Sequence, residues 1–248
     1  MSESYSDVVR RLSGAQKGAA RSAPAYSRFV NRKLGRLLAA AAYRGGVTPN
    51  GVTVISATHT YVAIALLAVL PPSDWLGIVV ALLLVLGYAW DSADGQVARL
   101  TGTGSSAGEW LDHMVDSAKV VMLPLALLVG LYRAEAVDDG WLLVPLVNAV
   151  VGSVMFFGMM LTEQLRRAHG VTSTAASGGR FPWLRSVLAL PTDYGVLCLA
   201  FVLYGWTAGF MVVFTLITAG SLAFVALALP KWFRDVRALA PSGAGLAS

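Results

Sequence analysis

Residues 75–132 read WLGIVVALLLVLGYAWDSADGQVARLTGTGSSAGEWLDHMVDSAKVVMLPLALLVGLY. Two apolar runs enclose a polar centre that carries four aspartates. They are Asp91, Asp94, Asp112 and Asp116. A helix needs about 20 mostly apolar residues to cross a bilayer, and acids at membrane depth are costly and tend to be functional. The stretch therefore predicts two spanning helices, joined by a short link, with carboxylates near the link.

The spacing of the aspartates predicts that they converge. Asp91 and Asp94 are three residues apart, and Asp112 and Asp116 are four apart, so each pair shares one helix face. The link at 101–105 folds the two helices antiparallel. Four carboxylates then meet near the cytoplasmic ends of both helices, where they repel one another unless they are neutralised.

Divalent cations would resolve this repulsion. Because the predicted ligands are all oxygen atoms, Mg²⁺ or Mn²⁺ is favoured over zinc. Two such ions in one acidic cluster are a common means of activating phosphoryl transfer, so two ions are expected.

Small and basic residues beside the aspartates suit a site for a diphosphate. Gly95 leaves room for a ligand to approach the backbone, and Ala98 keeps the same face small. Arg99 lies at the helix end, where its guanidinium can hold a diphosphate. Gly108 is expected to let the two helices pack closely.

Composition extends the membrane prediction to the whole chain. Of 248 residues, 56% are hydrophobic and 13% are charged, against about 25% charged in a soluble domain. The apolar runs predict an all-α integral membrane protein with six transmembrane helices, preceded by a basic amphipathic helix that lies in the membrane interface. The six predicted spans are 50–70, 75–99, 106–132, 141–166, 192–206 and 209–233. Thr48 is expected to cap the first span, with Pro49 at its first position.

Basic residues predict the orientation. With both termini and the aspartates in the cytoplasm, seventeen of the nineteen Lys and Arg residues lie on that side, as the positive-inside rule requires. The same rule explains the basic N-terminus better than nucleic-acid binding does. We expect a multi-pass protein of the cell membrane, without a cleaved signal peptide or, given its single cysteine, an intrachain disulfide. Its expected parts are 1–48, a basic segment with the interfacial helix, 49–237, the membrane domain, and 238–248, a disordered tail.

One family signature is similar to this stretch at every position. Asp91-Ser-Ala-Asp94-Gly95-Gln-Val-Ala98-Arg99 is followed after eight residues by Gly108, and then at intervals of three residues by Asp112 and Asp116. This pattern resembles the signature of the CDP-alcohol phosphotransferase family, also called the CDP-alcohol phosphatidyltransferase family. Eight fixed positions in a frame of 26 residues make the resemblance specific.

The resemblance implies a membrane enzyme of phospholipid biosynthesis. Family members bind a CDP-alcohol, often CDP-diacylglycerol, and an acceptor hydroxyl attacks the phosphorus nearer the transferred alcohol while CMP leaves. Members are commonly homodimers. The resemblance implies that metal is bound by Asp91, Asp94, Asp112 and Asp116, and that Asp116 is the general base. It also implies that the CDP portion is bound by Asp91, Gly95, Ala98 and Arg99.

The acceptor is not decided by the signature. A cytoplasmic basic loop favours a small alcohol, such as a phosphorylated one, and the weak candidates to bind it are Arg180, Arg166 and Lys119. Lys119 meets substrate phosphate or neutralises an acid, and these two readings stay equal. Glu109 and His113 resemble the choline and ethanolamine phosphotransferase branch, although His113 suits an ordinary polar residue at the cavity rim equally well. Asp193 is expected only to cap the fifth span.

Alternative functions stay open at this stage. The same chemistry could use a polar CDP-alcohol donor or a diacylglycerol acceptor. A membrane transporter of ions or protons could use the acidic cluster, although that reading does not explain the spacing of the glycines and Arg99. A degenerate family member that only binds nucleotide would be expected to lack a signature position, and none is missing.

Overall fold

A computed structural model describes residues 3–15, 24–171 and 192–239, and these residues are helical, without a strand. The helices are α1 (Tyr5–Ala15), α2 (Arg32–Arg44), α3 (Pro49–Val69), α4 (Asp74–Thr101), α5 (Ser106–Arg133), α6 (Leu143–Ala168), α7 (Tyr194–Ala200) and α8 (Thr207–Arg237). A π-helical turn at Ser27–Asn31 leads into α2, and a 3₁₀ turn at Asp139–Leu142 leads into α6. A second 3₁₀ turn, Phe201–Leu203, continues α7.

Five helices are long and apolar enough to cross a membrane. They are Pro49–Val69, Asp74–Thr101, Ser106–Arg133, Asp139–Ala168 and Thr207–Arg237. They correspond to five of the six predicted spans. Within the predicted span 192–206, the helical segment is shorter and covers Tyr194–Leu203.

Local signals in the sequence explain where the central helices begin and end. The Thr48 side chain accepts a hydrogen bond from the N–H of Gly51 at 3.2 Å, and Pro49 follows it, which confirms the predicted start of α3. Gly102 ends α4 in a left-handed conformation, with φ of 67°, which glycine adopts without steric cost. Ser105 then caps α5 by accepting from the N–H of Gly108 at 3.1 Å. The turn between α4 and α5 is therefore tight.

A dense apolar core fills the end of the bundle away from this turn. Its largest fully buried side chains come from α3, from α7 with its 3₁₀ turn and following residue, and from α8, and include Leu67, Phe201, Tyr204, Phe210 and Phe214. Small residues allow the close helix approaches that membrane bundles favour. A Cβ on Gly87 of α4, for example, would lie 3.2 Å from the carbonyl oxygen of Ser56.

The N-terminal region contains a helix that the sequence did not predict. Residues 5–15 form α1, which packs on α2 through buried Val8 and Leu12. A helix at 32–44 agrees with the predicted amphipathic segment. It packs against α4, and a Cβ on Gly35 would meet the Ser92 side chain at 2.8 Å. Phe29, at 56% exposed, faces away from this contact.

Gly130 provides a test of this packing. A Cβ on Gly130 of α5 would collide with the backbone of Leu67 in α3. Gly130→Ala should therefore push the two helices apart and lower the melting temperature in detergent, since overpacking typically costs about 1–3 kcal/mol. Gly140→Ala is the matched control, because a Cβ there meets nothing within 4 Å. Equal melting temperatures for the two variants would contradict this account of the α3–α5 contact.

Candidate active site

The four aspartates come together where α4 ends and α5 begins. Asp112 lies within electrostatic range of both Asp91 and Asp94, and Asp116 within range of Asp91 and Asp112. α4 and α5 both pack against α3, and the tight turn after Gly102 joins them at the end where the aspartates lie, so the four carboxylates converge there. The convergence predicted from the spacing is therefore present in the structure.

Lys119 neutralises part of the cluster. Its ammonium lies 3.0 Å from Asp91 Oδ1, and it also pairs with Asp116 on its own helix. The Lys119 side chain is 8% exposed, and the ring of Tyr194 lies 5.5 Å away on α7. A buried ammonium is tolerated only when it is paired. Of the two readings that the sequence left open, the structure therefore favours neutralisation of an acid.

Asp94 is hydrogen-bonded to a side chain of α3. Thr53 donates a hydrogen bond to Asp94 Oδ2 at 2.8 Å, and the N–H of Gly95 donates to Oδ1 at 2.5 Å. Gly108 also faces α3, because a Cβ there would lie 3.0 Å from Asn50 Oδ1. The expectation that Gly108 brings α4 and α5 together therefore needs correction. The close neighbour outside its own helical turn is the start of α3.

An ion-paired rim surrounds the cluster. Arg167 on α6 donates to Glu109 at 2.5 Å and to Glu163 at 3.3 Å. The His113 ring lies 3.6 Å from Glu109 and 3.8 Å from Asp112. This rim connects the start of α5 with the end of α6, so Glu109 serves the contact between these helices.

The first cavity lies on the α3 side of the aspartates and has a volume of about 550 Å³. Most of the signature residues line it. Its lining includes Asn50, Thr53, Asp94, Gly95, Ala98, Arg99, Gly108, Glu109, Asp112 and Arg167. Gly95 is not crowded by the protein, since a Cβ there would make only an ordinary contact of 3.5 Å with its neighbour Arg99. Its missing side chain instead widens the cavity, as the sequence predicts.

Two further spaces adjoin the first cavity and the cluster. An apolar groove of about 410 Å³ shares Thr53 with the first cavity and continues along α3 as far as Ala65. The second cavity, of about 320 Å³, lies on the other side of the aspartates. Asp91, Asp116 and Lys119 line it, whereas Gly95, Ala98 and Arg99 do not. Asp91, predicted to contact the CDP portion, therefore faces a different space from the other three donor candidates.

The three residues predicted to bind the acceptor have different surroundings, or lie outside the described part of the chain. Arg166 lies 3.9 Å from Asp235 of α8, and Lys119 is engaged by the cluster. Arg180 lies outside the described residues. Asp193 caps α7, accepting from the N–H of Gly195 at 3.1 Å, as expected. It also accepts from the N–H of Tyr26 at 2.7 Å, and thus connects α7 to the segment before α2.

Divalent metal fits the residues that are present. Ligand atoms of Asp112, His113 and Asp116 lie within 4.8 Å of one another, and the carboxylates of Asp91 and Asp94 are close by. Oxygen atoms outnumber the single imidazole, so the donor set suits Mg²⁺ or Mn²⁺. His113, which the sequence left open between a residue of the choline and ethanolamine branch and an ordinary polar residue at the rim, is a member of this group.

Sequence reasoning missed Thr53 and Tyr194. Thr53 lies one helical turn after Pro49, on the α3 face that meets α4, but a threonine near the start of an apolar helix has no distinctive signal. Tyr194 directly follows the predicted cap Asp193. Its contact with Lys119 depends on how α7 packs against α4 and α5, which no local pattern reports.

A helical membrane bundle with carboxylates and a polar cavity at one end is the arrangement of a membrane transferase of phosphate-containing groups. The chain belongs to the CDP-alcohol phosphatidyltransferase family, whose model matches residues 46–229. It is thus an integral membrane enzyme of phospholipid biosynthesis, and the resemblance inferred from the signature is confirmed.

Solved structures support the fold. The phosphatidylinositol phosphate synthase PgsA1 of Mycobacterium tuberculosis, solved with CDP-DAG bound, is 18% identical to this chain with a TM-score of 0.53. The similarity covers 88% of this chain and 99% of the other. No curated protein sequence matches the chain.

The hydrogen bond from Thr53 predicts a measurable effect. Thr53→Val keeps the shape and removes the hydroxyl that orients Asp94, so kcat/KM should fall by about 10–100-fold, as is usual for groups that orient metal ligands. Thr215→Val is the matched control, since that hydroxyl bonds only within its own helix, to the carbonyl of Met211 at 2.7 Å. CMP release measures both. Unchanged kinetics in Thr53→Val would show that Asp94 does not depend on this bond.

Proposed function

We propose that the enzyme transfers the phosphatidyl group of CDP-diacylglycerol to an alcohol, with release of CMP and with dependence on Mg²⁺ or Mn²⁺. One observation carries the proposal. In a member of this family, the aspartates of the signature converge beside a cavity that is lined by its glycines, alanine and arginine. That cavity would receive the CDP portion, with the Arg99 guanidinium near the diphosphate.

The choice of CDP-diacylglycerol rests on the apolar groove. It joins the first cavity at Thr53 and extends along α3 to Ala65, a rise of about 18 Å at 1.5 Å per residue. A nucleotide in the first cavity could therefore carry an acyl chain into this groove. A polar CDP-alcohol donor would leave the groove without a role, so it is the second candidate.

A side chain of the protein can accept the proton that the acceptor hydroxyl loses. The acceptor oxygen forms a bond to the phosphorus nearer the transferred alcohol, the bond from that phosphorus to CMP breaks, and Asp116 takes the acceptor's proton. Mg²⁺ or Mn²⁺ held by Asp91, Asp94, Asp112 and Asp116 would stabilise charge on the diphosphate and lower the pKa of the attacking hydroxyl. Lys119 keeps the Asp91 and Asp116 carboxylates apart and oriented.

Transport is the less favoured alternative. A pathway for ions or protons needs polar groups through the whole bundle. In the described residues, Phe201, Tyr204 and Phe210 fill the end opposite the aspartates and are fully buried. The acidic cluster therefore faces a cavity that packed aromatic side chains close on the opposite side, which suits an enzyme.

Six crossings, a cytoplasmic site and a homodimer complete the proposal. Arg167 near the end of α6 pairs with Glu109 at the cluster end, whereas Gly205 packs against Asp74 at the other end. Since the chain passes from one end to the other between these points, α7 would belong to a sixth crossing. With six crossings, the positive-inside rule favours a cytoplasmic position for both termini and the cluster, and the exposed apolar side of α2 would rest on the membrane.

Release of CMP tests the reaction. Purified enzyme with CDP-diacylglycerol, Mg²⁺ and a panel of alcohols should produce CMP; EDTA should abolish the reaction, and Mg²⁺ or Mn²⁺ should restore it. CDP-choline and CDP-glycerol serve as polar donors in parallel. Failure of all donors to yield CMP would reject the proposed reaction, and full activity in EDTA would reject the role of metal.

Asp116→Asn tests the general base. The amide keeps the shape of the side chain but cannot take the proton, so kcat should fall by roughly 10²–10⁴, while affinity for the CDP-alcohol should change little. Asp138→Asn, in an exposed loop at the other end of the bundle, is the control. Single-turnover rates with calorimetric titration of metal would separate the two roles of Asp116. A loss of metal affinity as large as the loss of rate would identify it first as a metal ligand.

A further inference from the structure

The second cavity borders the acids but has a different character from the first. One end is polar and includes Asp91, Asp116 and Lys119, whereas most of the remaining lining is apolar and comes from α5, α6, α7 and α8. Since Asp116 lines this space and not the first cavity, a hydroxyl that loses its proton to Asp116 would approach from here.

The second cavity is elongated along the helices. On α5 its lining extends from His113 to Pro124, which at 1.5 Å per residue is about 17 Å. On α6 it extends from Met160 to Asn148, about 18 Å by the same rise. A volume of about 320 Å³ over this length makes the space narrow. Its shape suits one hydrocarbon chain that lies parallel to the helices.

Charge at the polar end argues against a phosphorylated acceptor. Among the described residues, Lys119 and His113 are the basic side chains that line the second cavity. Asp91 and Asp116 already hold the Lys119 ammonium, and the His113 ring lies 3.6 Å from Glu109 and 3.8 Å from Asp112. Arg166 and Arg167 nearby pair with Asp235, Glu109 and Glu163. A phosphate on the acceptor would meet the Asp91 and Asp116 carboxylates here, and each of these described cations is already paired with an acid.

We propose that the acceptor is a lipid alcohol, whose hydrocarbon chain occupies the second cavity and whose hydroxyl lies at Asp116. The proposal rests on the proposed function and specifies its acceptor. The hydroxyl oxygen forms the new bond to phosphorus, its proton goes to Asp116, and CMP takes the electrons of the bond that breaks. The product would be a phosphodiester between two lipid groups.

The surface of the bundle offers this lipid an entrance. Met159 lines the second cavity and is nevertheless 46% exposed on α6, so the cavity wall is also part of the face that meets the bilayer. Because bilayer hydrocarbon is as apolar as the cavity, little is gained by transfer alone. The cavity would therefore select a lipid by its fit and by the placement of its hydroxyl.

A panel of acceptors tests the proposal in lipid nanodiscs with CDP-diacylglycerol as donor. Lipid alcohols such as diacylglycerol, phosphatidylglycerol and a long-chain primary alcohol should be phosphatidylated. Glycerol 3-phosphate, inositol phosphate and serine should not. If only the water-soluble acceptors react, the lipid acceptor is rejected while the proposed function stands. If no acceptor yields CMP, the proposed function itself fails.

Met159→Trp tests whether the hydrocarbon chain of the acceptor lies in the second cavity. The larger side chain should obstruct the cavity and raise the KM of the lipid acceptor by about tenfold or more, the scale on which apolar pockets discriminate by size. The KM of CDP-diacylglycerol should stay the same. Met122→Trp is the control, since Met122 is 45% exposed on α5 and does not line the second cavity. Melting temperatures show whether both variants fold.

The same KM measurements show which substrate supplies the hydrocarbon chain that occupies the second cavity. A rise in the KM of CDP-diacylglycerol alone would mean that the donor's acyl chain occupies the second cavity, and it would overturn the proposal. Equal KM values for Met159→Trp and the unmodified enzyme, with both folded, would also overturn it.

Discussion

Mutual repulsion of carboxylates is the constraint around which this protein is organised. Four of them lie within electrostatic range at one end of a bundle of largely apolar helices, and the surrounding low dielectric strengthens every interaction between them. Lys119 supplies one positive charge directly, and Thr53 and the Gly95 backbone hold Asp94 in place. The remaining negative charge is available to divalent cations. The cluster is thus stable enough to fold, yet still able to bind metal and a diphosphate.

Packing and function are separated along the bundle axis. At one end aromatic side chains and close glycine contacts leave the core dense. At the other, Gly95 and Ala98 keep the first cavity open, and polar side chains replace the apolar ones. α4 and α5 belong to both ends, so the rigidity of the dense end positions the aspartates at the open one. This arrangement explains why mobile loops are not needed to bring the four carboxylates together.

The sequence was sufficient for the features that depend on local pattern. Apolar length predicted six spans, five of which correspond to helices that are long and apolar enough to cross a membrane. Spacing predicted the convergence of the aspartates, and cap residues predicted the start of α3. It was insufficient wherever two distant segments meet. Thr53 reaches Asp94 because α3 packs on α4, and Asp193 reaches Tyr26 because α7 returns to the start of the chain. Similarly, Gly108 has the expected small size but a different neighbour, Asn50. The sequence did not predict α1 because the apolar face of this helix buries only two side chains, Val8 and Leu12.

The two cavities share α4 and α5 but differ in their outer walls, and this difference has an evolutionary consequence. Most of the signature residues line the first cavity, whereas the wall of the second that lies away from the aspartates is built from α6, α7 and α8. Mutations in this wall, away from Arg167, can therefore accumulate without disturbing the nucleotide site. A gene duplicate could keep its reaction intact while drifting toward a new second substrate. Diversification within such a scaffold would then be a matter of exchanging one wall, with the reacting centre inherited unchanged.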